Sequence, residues 1–286
     1  MKPQYSYLKY CGFSIDTARF LLYDKNDETK GESAMLHNMK LNDEPFAMIE
    51  DGRKTIELRL NDEKRRKVQP GDFICFTHIT QPERMIQVRV TALHPFPGFR
   101  ELFEALPAEK CGFAPGETVP DGYMDSFYPV EEQKRYGALG IEFRRTDLQR
   151  FIDAQEQGYE DAAAYSTAIG EIRAGEKNEH WMWYVFPQIK GLSTDLVTEY
   201  FALNDVTEAR DYLEHPLLGS RLREAASELM KLDTDDPVAV FGLIDAYKLR
   251  RCMTLFAHIA KDEELFRSVL DKYCMGSYDD DTIALL

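Results

Sequence analysis

Lys54, Glu57 and Arg59 stand in the stretch GRKTIELRLNDEKRRK, residues 52–67, which sets charges of both signs around apolar residues at alternate positions. Side chains of an extended segment alternate sides. Ile56, Leu58 and Leu60 are therefore expected to face a core, leaving Thr55, Glu57 and Arg59 together on the other face. A lysine, a carboxylate and a guanidinium converging where a loop enters a strand offer two kinds of chemistry. Arg53, Lys54, Thr55 and Arg59 can grip a phosphate or carbonyl, or Glu57 can activate water with Lys54 as its electrophilic partner. The plain alternative is a solvated strand face with one ordinary ion pair, worth less than about 1 kcal/mol. A carboxylate close to Lys54 would keep the amine charged, better suited to gripping an anion than to taking a proton.

A second constellation is HWMWYVFPQIKG, residues 180–191, which holds both tryptophans of the chain. Aromatic residues so concentrated either seal a helical core or wall a pocket where a flat ligand stacks. The pocket candidates are His180, Trp181, Trp183 and Gln188, with Asp245, Lys248 and Arg250 from a downstream helix. The remaining histidines lack the paired spacing of a metal site, and no cofactor motif is recognisable. His215 precedes a proline at an expected helix end, where a local C-terminal interaction is expected.

These residues need elements to position them. At 286 residues the chain is long enough for two domains with separate cores. Residues 1–38 read as an N-terminal extension, with ARFLLYD a possible strand beside a polar linker. From about residue 39 the texture is β-rich: TIELRL, GDFICFTHI, MIQVRVTAL and GALGIEFR read as strands, with FRELFEAL an amphipathic helix between the last two. That order suggests a small closed or half-closed barrel. Beyond Thr146 the period becomes helical. DVTEARDYLEH opens on a capping box, Asp205 and Glu208, and Asp262 is expected to cap DEELFRSVLDKYC. The fold class is α+β multidomain: a β-barrel over 39–145 followed by an all-α domain over 147–286.

Charge separates the halves. Residues 1–147 carry 21 Lys and Arg against 24 Asp and Glu; residues 148–286 carry 14 against 26. The acidic second half argues against duplex DNA as a partner, whereas the first half retains a basic run, Lys64 to Lys67. Five scattered cysteines and the absence of an apolar N-terminal core or membrane-length segment point to a cytoplasmic protein without a membrane partner.

The stretch MKLNDEPFAMIEDGRKTIELRLNDEKRRKVQPGDFICF, with the later YGALGIEFR, resembles the ASCH family. The resemblance implies a PUA-like β-barrel whose relatives bind RNA or modified nucleosides in a cleft beside this strand. Some small members are amidohydrolases that deacetylate acetylated cytidine nucleosides. By that resemblance Lys54 matches their lysine and Glu57 stands where they have a threonine. Glu109, or else Glu104, would supply their glutamate. Residues 147–286, through HWMWYVFPQIKG, YLEHPLLGSRLREA, DAYKLRRCMTLF and DDDTIALL, resemble domain-of-unknown-function family 1810, which implies a compact helical domain and no settled activity. A more distant kinship to glycohydrolases acting on ADP-ribose-linked bases is a further expectation. The functional expectation is an RNA-, nucleoside- or nucleotide-directed protein that hydrolyses an acylated or otherwise modified nucleoside in the barrel; the alternative is a non-enzymatic RNA-binding barrel that addresses a helical domain with an unrecognised nucleotide- or ADP-ribose-related activity or a partner-binding role. Lys54→Ala is expected to abolish ligand handling with little change in thermal midpoint.

Overall fold

A computed structural model describes residues 34–261 and 263–286. Residues 1–33, with the strand suggested in ARFLLYD and Cys11, and Asp262, the expected cap, lie outside the described residues. Ala34–Leu286 forms one compact unit.

Its N-terminal part is a five-stranded sheet. Strand β1 is Leu36–Leu41, β2 Ile56–Leu60, β3 Phe73–His78, β4 Met85–Phe96 and β5 Ala138–Arg145. The spatial order is β1-β3-β4-β5-β2; β1 runs parallel to β3 and the other neighbours are antiparallel. The four strands legible in the alternation are all present. The barrel also takes in β1, which begins at Leu36, within the stretch expected to be an extension. A register shift between Val90 and Ala92 bends the long β4, so that its first part, Met85–Arg89, pairs with β3 while Val88–Phe96 pairs with β5. Helix α1, Asp43–Glu50, drops Phe46 and Ile49 into the barrel core beside Ile74, Phe76, Val88 and Ile141. Helix α2 (Phe99–Ala105) and helix α3 (Val130–Tyr136) flank the loop that precedes β5.

Among the described residues the barrel does not close by backbone pairing. β1 and β2 are the two edges of the sheet, and side chains span the gap. Arg59 Nη2 donates to the Lys40 carbonyl at 2.9 Å, and Lys64 Nζ donates to the Asn38 carbonyl at 3.3 Å.

The rest is helical: α4 Gln149–Gln157, α5 Tyr165–Ala174, α6 Met182–Val185, α7 Leu196–Tyr200, α8 Val206–Glu214, α9 Leu218–Lys231, α10 Pro237–Ile259, α11 Glu264–Cys274 and α12 Asp280–Ala284. The helical period after Thr146 breaks at Gly158. Its φ is +82°, and a Cβ there would meet the Ala162 carbonyl oxygen at 2.3 Å, so α4 and α5 are separate helices. Asp205 caps α8 by accepting from the Glu208 N–H. Glu208, however, turns its carboxylate to the N–H of Asn204 and to Arg150 rather than back to the cap residue. Inside α10, Gly242 leaves helical geometry at φ 74°, kinking the helix.

The helical core extends onto the sheet, since Phe73 of β3 and Leu36 of β1 pack within it. The polar seal of this junction is Asp211 of α8, only 1% exposed. Its Oδ1 accepts from Arg89 Nη1 and Arg144 Nη2, each at 2.6 Å, and Arg89 also bonds Glu214. His215 packs edge-on against Phe73 at 4.9 Å, and its Nδ1 accepts from the N–H groups of Leu217 and Leu218 at the start of α9. The C-terminal interaction expected of His215 is replaced by an N-terminal one: its side chain accepts from the N–H groups that open α9 rather than donating to the carbonyls that end α8. Burial pushes its pKa down to about 4.

Candidate functional site

β2 alternates as its sequence requires, but both of its faces are covered. Ile56, Leu58 and Leu60 pack with Phe99, Leu102, Cys111 and Met124, a core separate from that of the barrel. Glu57 and Arg59 pair with Ile141 and Leu139 of β5, both barrel-core residues. Directly opposed residues of an antiparallel pair share a face. The charged side of β2 therefore looks into the barrel, at the seam toward β1. The solvated-face alternative is overturned by burial: Lys54 is 6% exposed and Glu57 5%.

Lys54 and Thr55 run between α1 and the turn at Ala108–Cys111. The Lys54 N–H donates to the Met48 carbonyl, the Thr55 N–H to the Lys110 carbonyl, and the Thr55 carbonyl accepts from the Phe143 N–H. The backbone so pinned sends the lysine inward, where Nζ donates to the Cys111 carbonyl at 2.8 Å and stands 3.5 Å from Glu57 Oε2. Glu57 Oε1 lies 2.9 Å from Arg59 Nε. Oε2 has no hydrogen-bond partner among the described residues. A buried carboxylate oxygen without a donor is costly unless something supplies one. Gly112, at φ +107°, closes over the lysine stem, where a Cβ would sit 2.9 Å from Met48 Sδ and 3.5 Å from Lys54 Cδ. Burial raises the Cys111 thiol to about 11 despite the nearby Lys54 ammonium, which keeps it a thiol rather than a nucleophile.

The other barrel candidates do not join this cluster. Arg53 is exposed and paired with Asp51 at 2.7 Å. Thr55 contributes its backbone. Glu109 is exposed on the turn that faces Lys54, and that turn supplies the Cys111 carbonyl instead of a carboxylate. Glu104 is exposed beside Arg100. One group that the sequence reading passed over is Glu142 on β5. It accepts from Lys110 at 2.9 Å and lies 3.0 Å from His94 Nε2, and these two contacts draw its carboxyl below the usual range.

In the helical part, four candidates cluster and three take packing roles. Exposed His180 stacks on Trp183 at 6.0 Å and 26°, and Lys248 Nζ sits 5.3 Å over the same indole. Asp245 is held between Lys248 at 2.9 Å and Lys177 at 2.8 Å. Burial works to raise its pKa, but the two ammonium groups outweigh that and leave it low. Trp181 is fully buried, its Nε1 donating to Glu171. Gln188 is buried, and Arg250 ties the carbonyls of Ser277 and Tyr278. Lys177 was missed because it stands outside any aromatic or periodic pattern; only the fold brings it to Asp245.

Among the described residues no group of three or more His, Cys, Asp or Glu side chains could hold a metal ion, and no helix is long and apolar enough to cross a membrane.

Comparison with known proteins matches this layout. The ASCH domain model matches residues 39–147, and the model described as a protein of unknown function, DUF1810, matches residues 145–286. Among solved structures, the conserved hypothetical protein Rv1873 from Mycobacterium tuberculosis is 38% identical over 49% of this chain and 96% of its own, with a TM-score of 0.46. Hypothetical protein PH0355 is 33% identical over 39% of this chain and 99% of its own, at a TM-score of 0.34. Protein PF0455 from Pyrococcus furiosus is 31% identical over 40% and 99%, at 0.32. No curated protein matches.

Proposed function

This chain joins an ASCH domain to a DUF1810 domain, and from that premise we propose that its barrel binds single-stranded RNA or a nucleotide along the β1–β2 seam. The observation that carries this reading is the unpartnered, buried Glu57 Oε2 beside the Lys54 ammonium. An acceptor and a donor side by side complement the edge of a nucleobase, which also presents donors next to acceptors. Exposed Lys64 sits on the seam itself, and exposed Lys40, Arg66 and Lys67 lie around it, placed to meet phosphates. Burial of Lys54 and Glu57 means that entry of a base requires the Gly112 segment to move from Met48.

A second reading is favoured by the same pair: hydrolysis of an acyl group on a modified nucleoside, with the free Glu57 oxygen activating water and Lys54 polarising the carbonyl. It places glutamate where the small amidohydrolases resembled here have threonine. Mass-spectrometric turnover of acylated nucleosides, run beside nucleoside-dependent thermal stabilisation, separates the two. Stabilisation without turnover, lost in Glu57→Gln, supports binding alone. Turnover lost in Glu57→Gln supports the hydrolase. Neither effect with any nucleoside or short RNA contradicts both.

A further inference from the structure

A cleft of about 540 Å³ is lined by neither Lys54 nor Glu57. It lies between α2 and the loop that leads to α3. Its volume is that of a small-molecule site, a class spanning roughly 300–1,000 Å³. Two features define its chemistry. The first is a run of aromatic contacts: Phe103 meets Phe113 and Tyr123, Phe113 meets Tyr123 at 5.0 Å, and Tyr123 meets Phe127 at 5.6 Å. Of these rings Phe103 and Tyr123 line the cleft, with Phe113 and Phe127 packed behind, and Tyr123 remains 39% exposed, so it is open to a ligand.

The second feature is charge. Glu104, Glu117, Asp121 and Asp125 line the cleft against a single cation, Arg100, which Glu104 already neutralises at 3.3 Å. The negative field reaches Tyr123, whose hydroxyl is pushed up first by burial and then by the carboxylates of Glu44 and Glu117. An aromatic platform ringed by carboxylates repels a phosphodiester chain, so this is no extension of the nucleic-acid seam. A cation gains twice here, from the carboxylates and from the negative faces of the rings.

We propose that the cleft between α2 and the 117–125 loop binds a small organic cation with a guanidinium or alkylammonium head, stacked on Tyr123 and facing Asp121. The proposal is independent of the seam reading.

The test is calorimetric titration of the full chain at fixed ionic strength with pentylguanidinium and with its neutral counterpart pentylurea. Pentylguanidinium is expected to saturate at one site per chain and to bind at least about tenfold tighter than pentylurea. Tyr123→Leu is expected to weaken it by about tenfold and Asp121→Asn severalfold. Glu131→Gln, which removes an exposed carboxylate of α3 outside the cleft, is expected to leave it unchanged. Circular dichroism checks that Tyr123→Leu is folded, and Asp121→Asn keeps the test open if it is not. Absence of saturable binding, equal affinity for pentylurea, or an equal loss in Glu131→Gln would overturn the proposal, the last by showing only diffuse attraction to a chain of net charge -15.

Discussion

Arg59 Nη2 donates to the Lys40 carbonyl at 2.9 Å while its Nε sits 2.9 Å from Glu57 Oε1. One guanidinium therefore ties the β2 edge to the β1 edge and holds the buried carboxylate between them. A guanidinium, hydrogen-bonded through Nη2 and ion-paired through Nε, spans both positions, which the single ammonium of a lysine does not. Arg59→Ala is expected to lower unfolding stability by about 3 kcal/mol, since it opens the seam and strands Glu57. Arg59→Lys should recover only part of that. Urea unfolding of the three proteins checks the order, and equal stability of Arg59→Ala and wild type would contradict it.

Lys54 and Glu57 are expected to be energetically coupled. Lys54→Met removes the ammonium 3.5 Å from a buried carboxylate, and should destabilise by about 2 kcal/mol. This replaces the expectation from sequence that a Lys54 substitution would leave the thermal midpoint nearly unchanged; burial of both side chains is the reason. Glu57→Gln introduced into Lys54→Met should recover most of the loss. Thermal or urea melts of the four members of the cycle measure this, with strict additivity as the opposing result.

His215 sets a pH dependence. In the fold its pKa is about 4, against about 6.5 unfolded. Between those values the unfolded chain takes up a proton that the folded one refuses. Stability is thus present in full above about pH 6.5 and is lost as pH falls toward 4, by up to about 3 kcal/mol. His215→Asn should flatten that limb of the stability–pH curve. An unchanged limb would assign it to other groups.

Asp211 joins the sheet to the helices through two arginines. Asp211→Asn leaves Arg89 and Arg144 facing a neutral amide at a site only 1% exposed, and is expected to destabilise by about 3 kcal/mol. The same substitution made beside Arg89→Met and Arg144→Met should have a much smaller effect. A full-sized effect in that background would mean that Asp211 acts through some other contact.

Much of the scaffold was legible because alternation and helical period report local burial. TIELRL and GALGIEFR emerged as β2 and β5, and Asp205 as the cap of α8. What stayed hidden depends on distant partners. The alternation in TIELRL separates Glu57 from Leu58 correctly, but nothing local says that the charged side faces the barrel interior, because that follows from pairing with Leu139 and Ile141 across some eighty residues. Trp181 and Trp183 look equivalent in HWMW, yet two positions apart one seals the core and the other meets His180 and Lys248. β1 was missed for a related reason: LHNMKL is polar at its centre and becomes a strand by pairing in parallel with the apolar β3.

The seam reading is tested most directly by the salt dependence of binding to a short fluorescent single-stranded RNA, in wild type and in a Lys64→Gln, Arg66→Gln, Lys67→Gln triple variant. If these cations meet phosphates, log affinity should fall linearly with log salt, with a slope of about -2 for three contacts, and the triple variant should lose most of that slope. An RNA affinity indifferent to salt, or the same slope in the triple variant, would contradict RNA binding along the β1–β2 seam.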